Sequence, residues 1–340
     1  MSQTPKQSAE RPVPTSADVA RLAGVSRATV SYVLNNTQAV RISEPTRQRV
    51  REAAEELGYV PHAAARSLRA GHSRMVLLPS AHVPVGPLYS AFFNELQWAL
   101  RRLDYTVVQY GSLGLSGDQA ARAWAELRPV AVVSVGSFGL TPQGVEVLKR
   151  SGARAVITLG PDHVEGAHAL VQDQREVGVV AGTHLVERGH RRIGVVLPAE
   201  PGLGMFADPR LEGVRLVADG AGAEVVPLEL AYTEESAAAL AGRWRGLGLD
   251  AVFAYNDEYA MLLMRALQDE GVDVPGETAV MGADDLLLAR LLRPRLSSVR
   301  IDMEAGTVLA ELIDRLVRDA DGELERHDLM SAVAVVREST

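Results

Sequence analysis

Arg27, Ala28, Ser31 and Tyr32 fall on one face of the segment SRATVSYVLNN, whereas Val30, Val33 and Leu34 fall on the other at helical spacing. An arginine presents a planar fork of donors that fits the O6 and N7 acceptors of a guanine edge, and an alanine offers a methyl contact suited to thymine. A solvent-facing helix surface of this composition can enter a DNA major groove. On its flanks Ser26, Thr29, Ser31 and Asn35 carry hydroxyls and an amide that can meet phosphate oxygens, contacts that set register rather than sequence. Ser26 is equally suited to cap the helix.

Other chemistries find little support. The chain contains no cysteine, which excludes disulfides, thiol catalysis and thiolate metal sites. His184 and His190 in HLVERGHRR are six residues apart, a spacing that does not bring both to one helix face, so they read as structural and no metal is expected. No P-loop, G-x-S-x-G or zinc signature is present, and no catalytic residue is assigned. GLGMFA, Gly202 to Ala207, fits G-x-G-x-x-A with Glu224 downstream, which leaves a dinucleotide-dependent enzyme as the rival reading. Pro198, Pro201 and Pro209 lengthen the turn that a true fingerprint keeps tight, so no cofactor is expected.

The elements that must position the reading face are short. Ser16 is expected to cap a first helix with Val19, Ala20 and Ala23 on one face, and Gly24-Val25 makes a tight turn to Ser26. A third helix is expected from about Ser43 to Leu57, with Pro45 in its first turn, Val50, Ala54 and Leu57 inward, and Gly58 to stop it. After Pro61, HAAARSLRAG forms a helix shorter than the ~12 to 15 residues at which an isolated helix is marginal, so its order should depend on docking. From Met75 onward, runs such as VLLP, TVVQYG, PVAVVSVG and ARAVITLG alternate with amphipathic helices, and the alternation restarts after Val171. The expected fold class is α/β, with an all-α helix-turn-helix head and a body of two doubly wound parallel sheets.

Charge divides the chain in the same way. The 340 residues carry a net charge of −8, yet residues 1–72 hold 10 Lys and Arg against 6 Asp and Glu. The remainder holds 25 against 37, so a head of +4 precedes a body of −12. That asymmetry favours docking on a polyanion through one end. No apolar run reaches the length of a membrane helix and the amino terminus lacks an apolar stretch, so a cytoplasmic protein with no membrane partner is expected. Residues 1–14, polar and rich in proline, read as a disordered tail.

DVA, AGVS, TVS, VLN, S-E-x-T-R, Val50, LGY-x-P and ARSL recur at the spacing of the LacI/GalR family of bacterial transcription regulators, which the head closely resembles. HLVERGHRRIGVV, RLEG, FAYNDEYAM, LLRPRLSSVRIDM and VVREST extend the likeness more loosely through the body. The resemblance implies a DNA-binding domain at 15–60, a hinge helix at 61–71 and a periplasmic-binding-protein-like body at 72–340. It divides the body into one lobe of about 75–168 and 303–328 and a second of about 169–302 and 329–340. It implies a homodimer on a pseudo-palindromic double-stranded DNA operator, most simply as a repressor, with Arg27, Ala28 and Tyr32 reading bases. In the hinge, Leu68 matches a leucine pushed into the minor groove, with Ala65, Arg66 and Arg69 beside it. Arg210, Asn256 and Asp284 fall on positions that contact a small-molecule effector, a carbohydrate among the chemistries they suit.

Departures from the family pattern bear on both sites. Tyr32 stands where several members carry a basic residue or histidine, and a phenol cannot make the bidentate guanine contact. Ala283 replaces a common aromatic, Asp208 stands where some members have arginine, and the loop after the first strand keeps only Leu88, Tyr89 and Phe92 as wall residues. These changes leave open a member whose effector response is altered or lost.

Overall fold

In the head, Asp18 reaches back to the Thr15 N–H at 2.9 Å and to the Thr15 hydroxyl at 2.7 Å, which makes Thr15 the cap of helix α1 (Ser16–Ala23). Ser16, expected as the cap, is instead the first helical residue, because only Thr15 stands three residues before an acid. Gly24 in the left-handed region ends α1 and turns the chain into α2 (Arg27–Leu34). The Thr29 N–H donates to Ser26 Oγ at 3.1 Å, so Ser26 caps α2 as expected. Helix α3 (Glu44–Leu57) follows Ser43, takes Pro45 in its first turn and stops at left-handed Gly58. The three helices enclose Val19, Ala20, Ala23, Val30, Val33, Val50, Ala53 and Ala54, with Leu34 and Leu57 packed against them.

The structure is a computed structural model that describes residues 13–34, 41–60, 73–80, 86–111, 114–135, 139–160, 163–320 and 322–340. The chain separates into two units, 1–73 and 74–340.

Among the described residues, the second unit is built on two six-stranded sheets. The first runs in the order β11-β5-β4-β3-β1-β2 and is parallel throughout. Its strands are β1 (Met75–Ser80), β2 (Thr106–Gly111), β3 (Ala131–Val135), β4 (Ala155–Gly160), β5 (His168–Val171) and β11 (Arg326–Asp328). The second, β12-β10-β9-β8-β6-β7, is parallel except for β12, which runs antiparallel to β10 with Ser298 opposite Val335. It comprises β6 (Arg192–Pro198), β7 (Glu224–Leu230), β8 (Ala251–Phe253), β9 (Ala279–Ala283), β10 (Ser297–Met303) and β12 (Met330–Val335). Helices cover the faces: α4 (Pro87–Arg102), α5 (Gly117–Glu126), α6 (Pro142–Arg150) and α12 (Gly306–Arg318) belong to the first lobe. In the second lie α7 (Gln174–Glu187), α8 (Gly204–Ala221), α9 (Glu234–Ala241), α10 (Trp244–Leu247) and α11 (Asp257–Asp269). With helices on both faces, inner strands read as continuous apolar runs, and β4 is buried at every position.

The chain passes between lobes three times. β5 keeps the first sheet through Val171, three residues beyond the boundary expected at 168, because it pairs with β4 to its end. β10 likewise holds Met303 in the second sheet, opposite Met330, and the last passage is at Leu329. The Leu329 N–H donates to the Val171 carbonyl at 2.9 Å and the Glu304 N–H to the Leu329 carbonyl at 2.8 Å, so the crossings are bonded side by side.

Candidate functional site

The residues expected to read bases lie on α2. Arg27, Ala28 and Tyr32 are all exposed, with Tyr32 at 39% despite its aromatic ring, while Val30 and Val33 anchor the opposite face. Ser26 is exposed and its hydroxyl lies 2.9 Å from that of Thr29; Thr29 and Ser31 are half-buried. Asn35 and the residues expected in a hinge, Ala65, Arg66, Leu68 and Arg69, lie outside the described residues, as do positions 1–12 of the expected tail.

The second constellation forms in the body, at the carboxyl ends of strands, where open α/β sheets bind ligands. Its anchor is Arg210 on α8, 3% exposed. Glycines create its setting: a Cβ on Gly178 of α7 would lie 1.9 Å from the Arg210 carbonyl, and one on Gly213 would lie 2.2 Å from the Arg175 carbonyl. The two helix backbones therefore touch, and this contact delivers Arg210 to Gln174, one turn before Gly178. Gln174 Oε1 accepts from Arg210 Nε at 3.0 Å and Nη2 at 2.8 Å, while Arg210 Nη1 donates to the Tyr255 carbonyl. The guanidinium also sits 5.0 Å over the Tyr255 ring.

Asp284 follows β9 with φ 92°, outside the usual range of a residue with a side chain. Such strain persists where the surroundings hold it, and it is common at ligand sites. Its Oδ1 lies 3.9 Å from Arg210 Nη2, beyond hydrogen-bond reach, and is one of the buried side-chain atoms without a hydrogen-bond partner among the described residues. The others are Gln172 Nε2 and Ser134 Oγ. Burial pushes the Asp284 carboxyl above the usual carboxylate range, opposed by Arg210. Asn256 caps α11, its Oδ1 accepting from the Tyr259 N–H at 3.0 Å, and its Nδ2 donates to Glu258 Oε2 at 3.4 Å, which leaves the second Nδ2 hydrogen for a ligand.

Tyr89 ties the first lobe to this group. Its hydroxyl accepts from Gln174 Nε2 at 2.9 Å and donates to Gln172 Oε1 at 3.3 Å, and its ring meets Phe206 at 5.3 Å. Burial raises the Tyr89 hydroxyl well above its ordinary value, so it remains a protonated donor. Leu88 packs against the second lobe's core, whereas Phe92, expected in the wall, is 5% exposed in the core of the first lobe. Gln172, Gln174 and Tyr255 were not singled out by sequence; the one local signal was the i,i+4 pairing of Gln174 with Gly178.

Residues set beside the site in sequence have other duties. Asp257 and Asp285, both suited to helix capping by type, do not cap. Asp257 is buried, accepting from Ser298 Oγ at 2.6 Å and the Leu286 N–H at 2.7 Å, and burial raises its carboxyl to about 7. Asp285 is ion-paired with Arg337 and Arg290. His184 Nε2 lies 2.9 Å from Thr340 Oγ1 and His190 Nδ1 lies 3.7 Å from Asp250. Glu224 opens β7 opposite Arg192 and is ion-paired with it, at the amino edge of the sheet. The loop 199–203 leaves the carboxyl edge, so Glu224 cannot serve a ribose held there.

Residues 15–62 match the lacI family of bacterial regulatory proteins, and 183–340 match a periplasmic binding protein-like domain. Over 313 residues the chain is 33% identical to the transcriptional regulator GalR of Escherichia coli (strain K12), covering 87% of each. The chain belongs to the LacI family. It is a transcription regulator, and its fold agrees with solved members. A lac repressor dimer bound to operator and the anti-inducer ONPF aligns with TM-score 0.75 at 23% identity, covering 97% of this chain and 99% of that one. The regulator CelR in complex with cellobiose aligns with TM-score 0.61 at 26% identity, covering 96% and 100%. Among the described residues no helix is long and apolar enough to cross a membrane.

Proposed function

We propose that this LacI-family regulator is a cytoplasmic repressor that binds a pseudo-palindromic operator as a homodimer and answers to a small molecule held between its lobes. The observation that carries the reading is the exposed α2 face of Arg27, Ala28 and Tyr32 on an intact three-helix head whose residues match the family. Arg27 takes a guanine edge, Ala28 contributes a methyl contact, and Ser26, Thr29, Ser31 and Asn35 meet phosphates. Two heads are needed because one small module makes a modest interface, and paired half-sites multiply the discrimination.

Residues 61–71 act as a hinge in which Leu68 wedges into the minor groove, with Ala65, Arg66 and Arg69 alongside. In the body, Arg210, Asn256 and Asp284 contact the effector. Support comes from the unpartnered Asp284 Oδ1 and from the Gln174–Tyr89 link, which makes lobe closure sensitive to whatever occupies the site. A ligand need favour one lobe arrangement by only a few kcal/mol, about 5.5 for near-complete reversal. Catalysis has no place in this reading, and the position of Glu224 supports leaving the dinucleotide alternative aside. Genome-wide mapping of bound DNA tests the proposal: two-fold symmetric sites that lose occupancy with Arg27→Ala are expected, and the absence of a shared symmetric sequence would overturn it.

A further inference from the structure

The site around Arg210 holds more acid than base. Arg210 has its fork engaged by Gln174 and the Tyr255 carbonyl, and Asp284 lies beside it. Two further carboxylates stand at the same edge of the second sheet. Glu258, in the first turn of α11, lies 3.4 Å from Asn256 Nδ2 and acts electrostatically on Asp284, Tyr255 and Tyr232. Glu200, after β6, accepts from the Tyr232 N–H at 2.6 Å and from the Tyr259 hydroxyl. Between them runs a series of rings, Tyr232 to Tyr259 at 5.1 Å and Tyr259 to Tyr255 at 5.5 Å, with Tyr232 exposed.

An incoming anion meets these carboxylates, and the guanidinium beside them already donates three of its five N–H groups to Gln174 and the Tyr255 carbonyl. A neutral polyol can satisfy Asp284 Oδ1 but does nothing for the surplus negative charge. A protonated amine does both, since charge-assisted hydrogen bonds are about twice as strong as neutral ones and tyrosine faces attract cations. We propose that the interlobe site takes a hydroxylated ligand bearing a protonated amine, which donates to Asp284 Oδ1 and sets its positive charge toward Glu258 and the tyrosine faces. This rests on the reading of the interlobe site as the effector site.

The experiment compares one scaffold in different charge states on the full-length, DNA-free protein. Glucosamine, glucose, glucose 6-phosphate and glucuronate, and the matching galactose series, are titrated by calorimetry and thermal unfolding. The amine forms should bind about tenfold more tightly than the neutral sugars, and the anionic forms should not bind. Asp284→Asn should abolish binding. Glu258→Gln should remove the amine preference, read as the ratio of amine to neutral-sugar affinity. Equal or better binding of neutral or anionic forms, no binding by any of them, or an amine preference that survives Glu258→Gln would overturn the proposal. Operator binding is measured on the same preparations. Retained operator binding with a failed amine preference removes this inference alone, whereas loss of operator binding in the parent protein removes the functional reading beneath it.

Discussion

The exposed guanidinium of Arg27 and the buried one of Arg210 face opposite demands. In the proposed reading Arg27 meets DNA from outside, where its value lies in two parallel donors at fixed spacing. Arg27→Lys keeps the charge but loses that fork, so operator affinity should fall by ~1 to 3 kcal/mol with relaxed preference at one base pair. Titrations against single-base operator variants check this; a uniform loss at every position would put Arg27 on the phosphates. Asp257 makes a second prediction at this scale. Its carboxyl is raised to about 7 by burial, so the folded state holds its proton where the unfolded chain has released it. Its contribution to stability is therefore full below about pH 4 and is lost as pH rises toward about 7. Thermal unfolding across this range should show that loss, and Asp257→Asn should flatten it.

At the scale of elements, the α7–α8 seam positions the body's site. Gly178→Ala would put a methyl into the Arg210 carbonyl, and the helices would have to separate. A destabilisation of ~1 to 3 kcal/mol is expected. That corresponds to about 2–4 °C in Tm per kcal/mol for a unit of this size. Ligand response should be lost even below the melting temperature, because Arg210 leaves Gln174; an unchanged response would separate the seam from the site. The proposed hinge supplies the other prediction here. Leu68→Ala should reduce operator bending and specific affinity without unfolding the head, whose core of Val19, Val30 and Val50 lies within 13–60. Bend angles from gel mobility, compared between parent and variant, decide the matter.

For the whole molecule, the division of charge between a +4 head and a −12 remainder governs how it meets DNA. Operator binding should weaken steeply with salt, log K falling by about 0.9 for each phosphate neutralised. A flat response would count against DNA as the partner. The three crossings matter at the same scale, since Val171, Leu329 and Glu304 are joined by backbone hydrogen bonds and any change in lobe angle is shared among them.

Sequence by itself determined the parts whose contacts are local. The head's helices follow from i,i+3 and i,i+4 apolar spacing, from caps and from left-handed glycines at 24 and 58, all legible within a few residues. Alternating apolar runs likewise announced two mainly parallel sheets, because strands buried on both faces must be apolar along their length, whereas the antiparallel pairing of edge strand β12 was not signalled. Where adjacent residues competed for one role, as Thr15 and Ser16 did, side-chain reach to Asp18 decided. The body's site belonged to tertiary structure. Tyr89 and Gln174 are 85 residues apart, and Arg210 is 36 from Gln174, yet all meet in one hydrogen-bonded group. Their meeting depends on how closely two glycine-bearing helices approach and on where the chain changes lobes, neither of which is written in a local pattern. Packing also drew Phe92 into the core and left Tyr89, one turn earlier at the start of α4, to bridge the lobes.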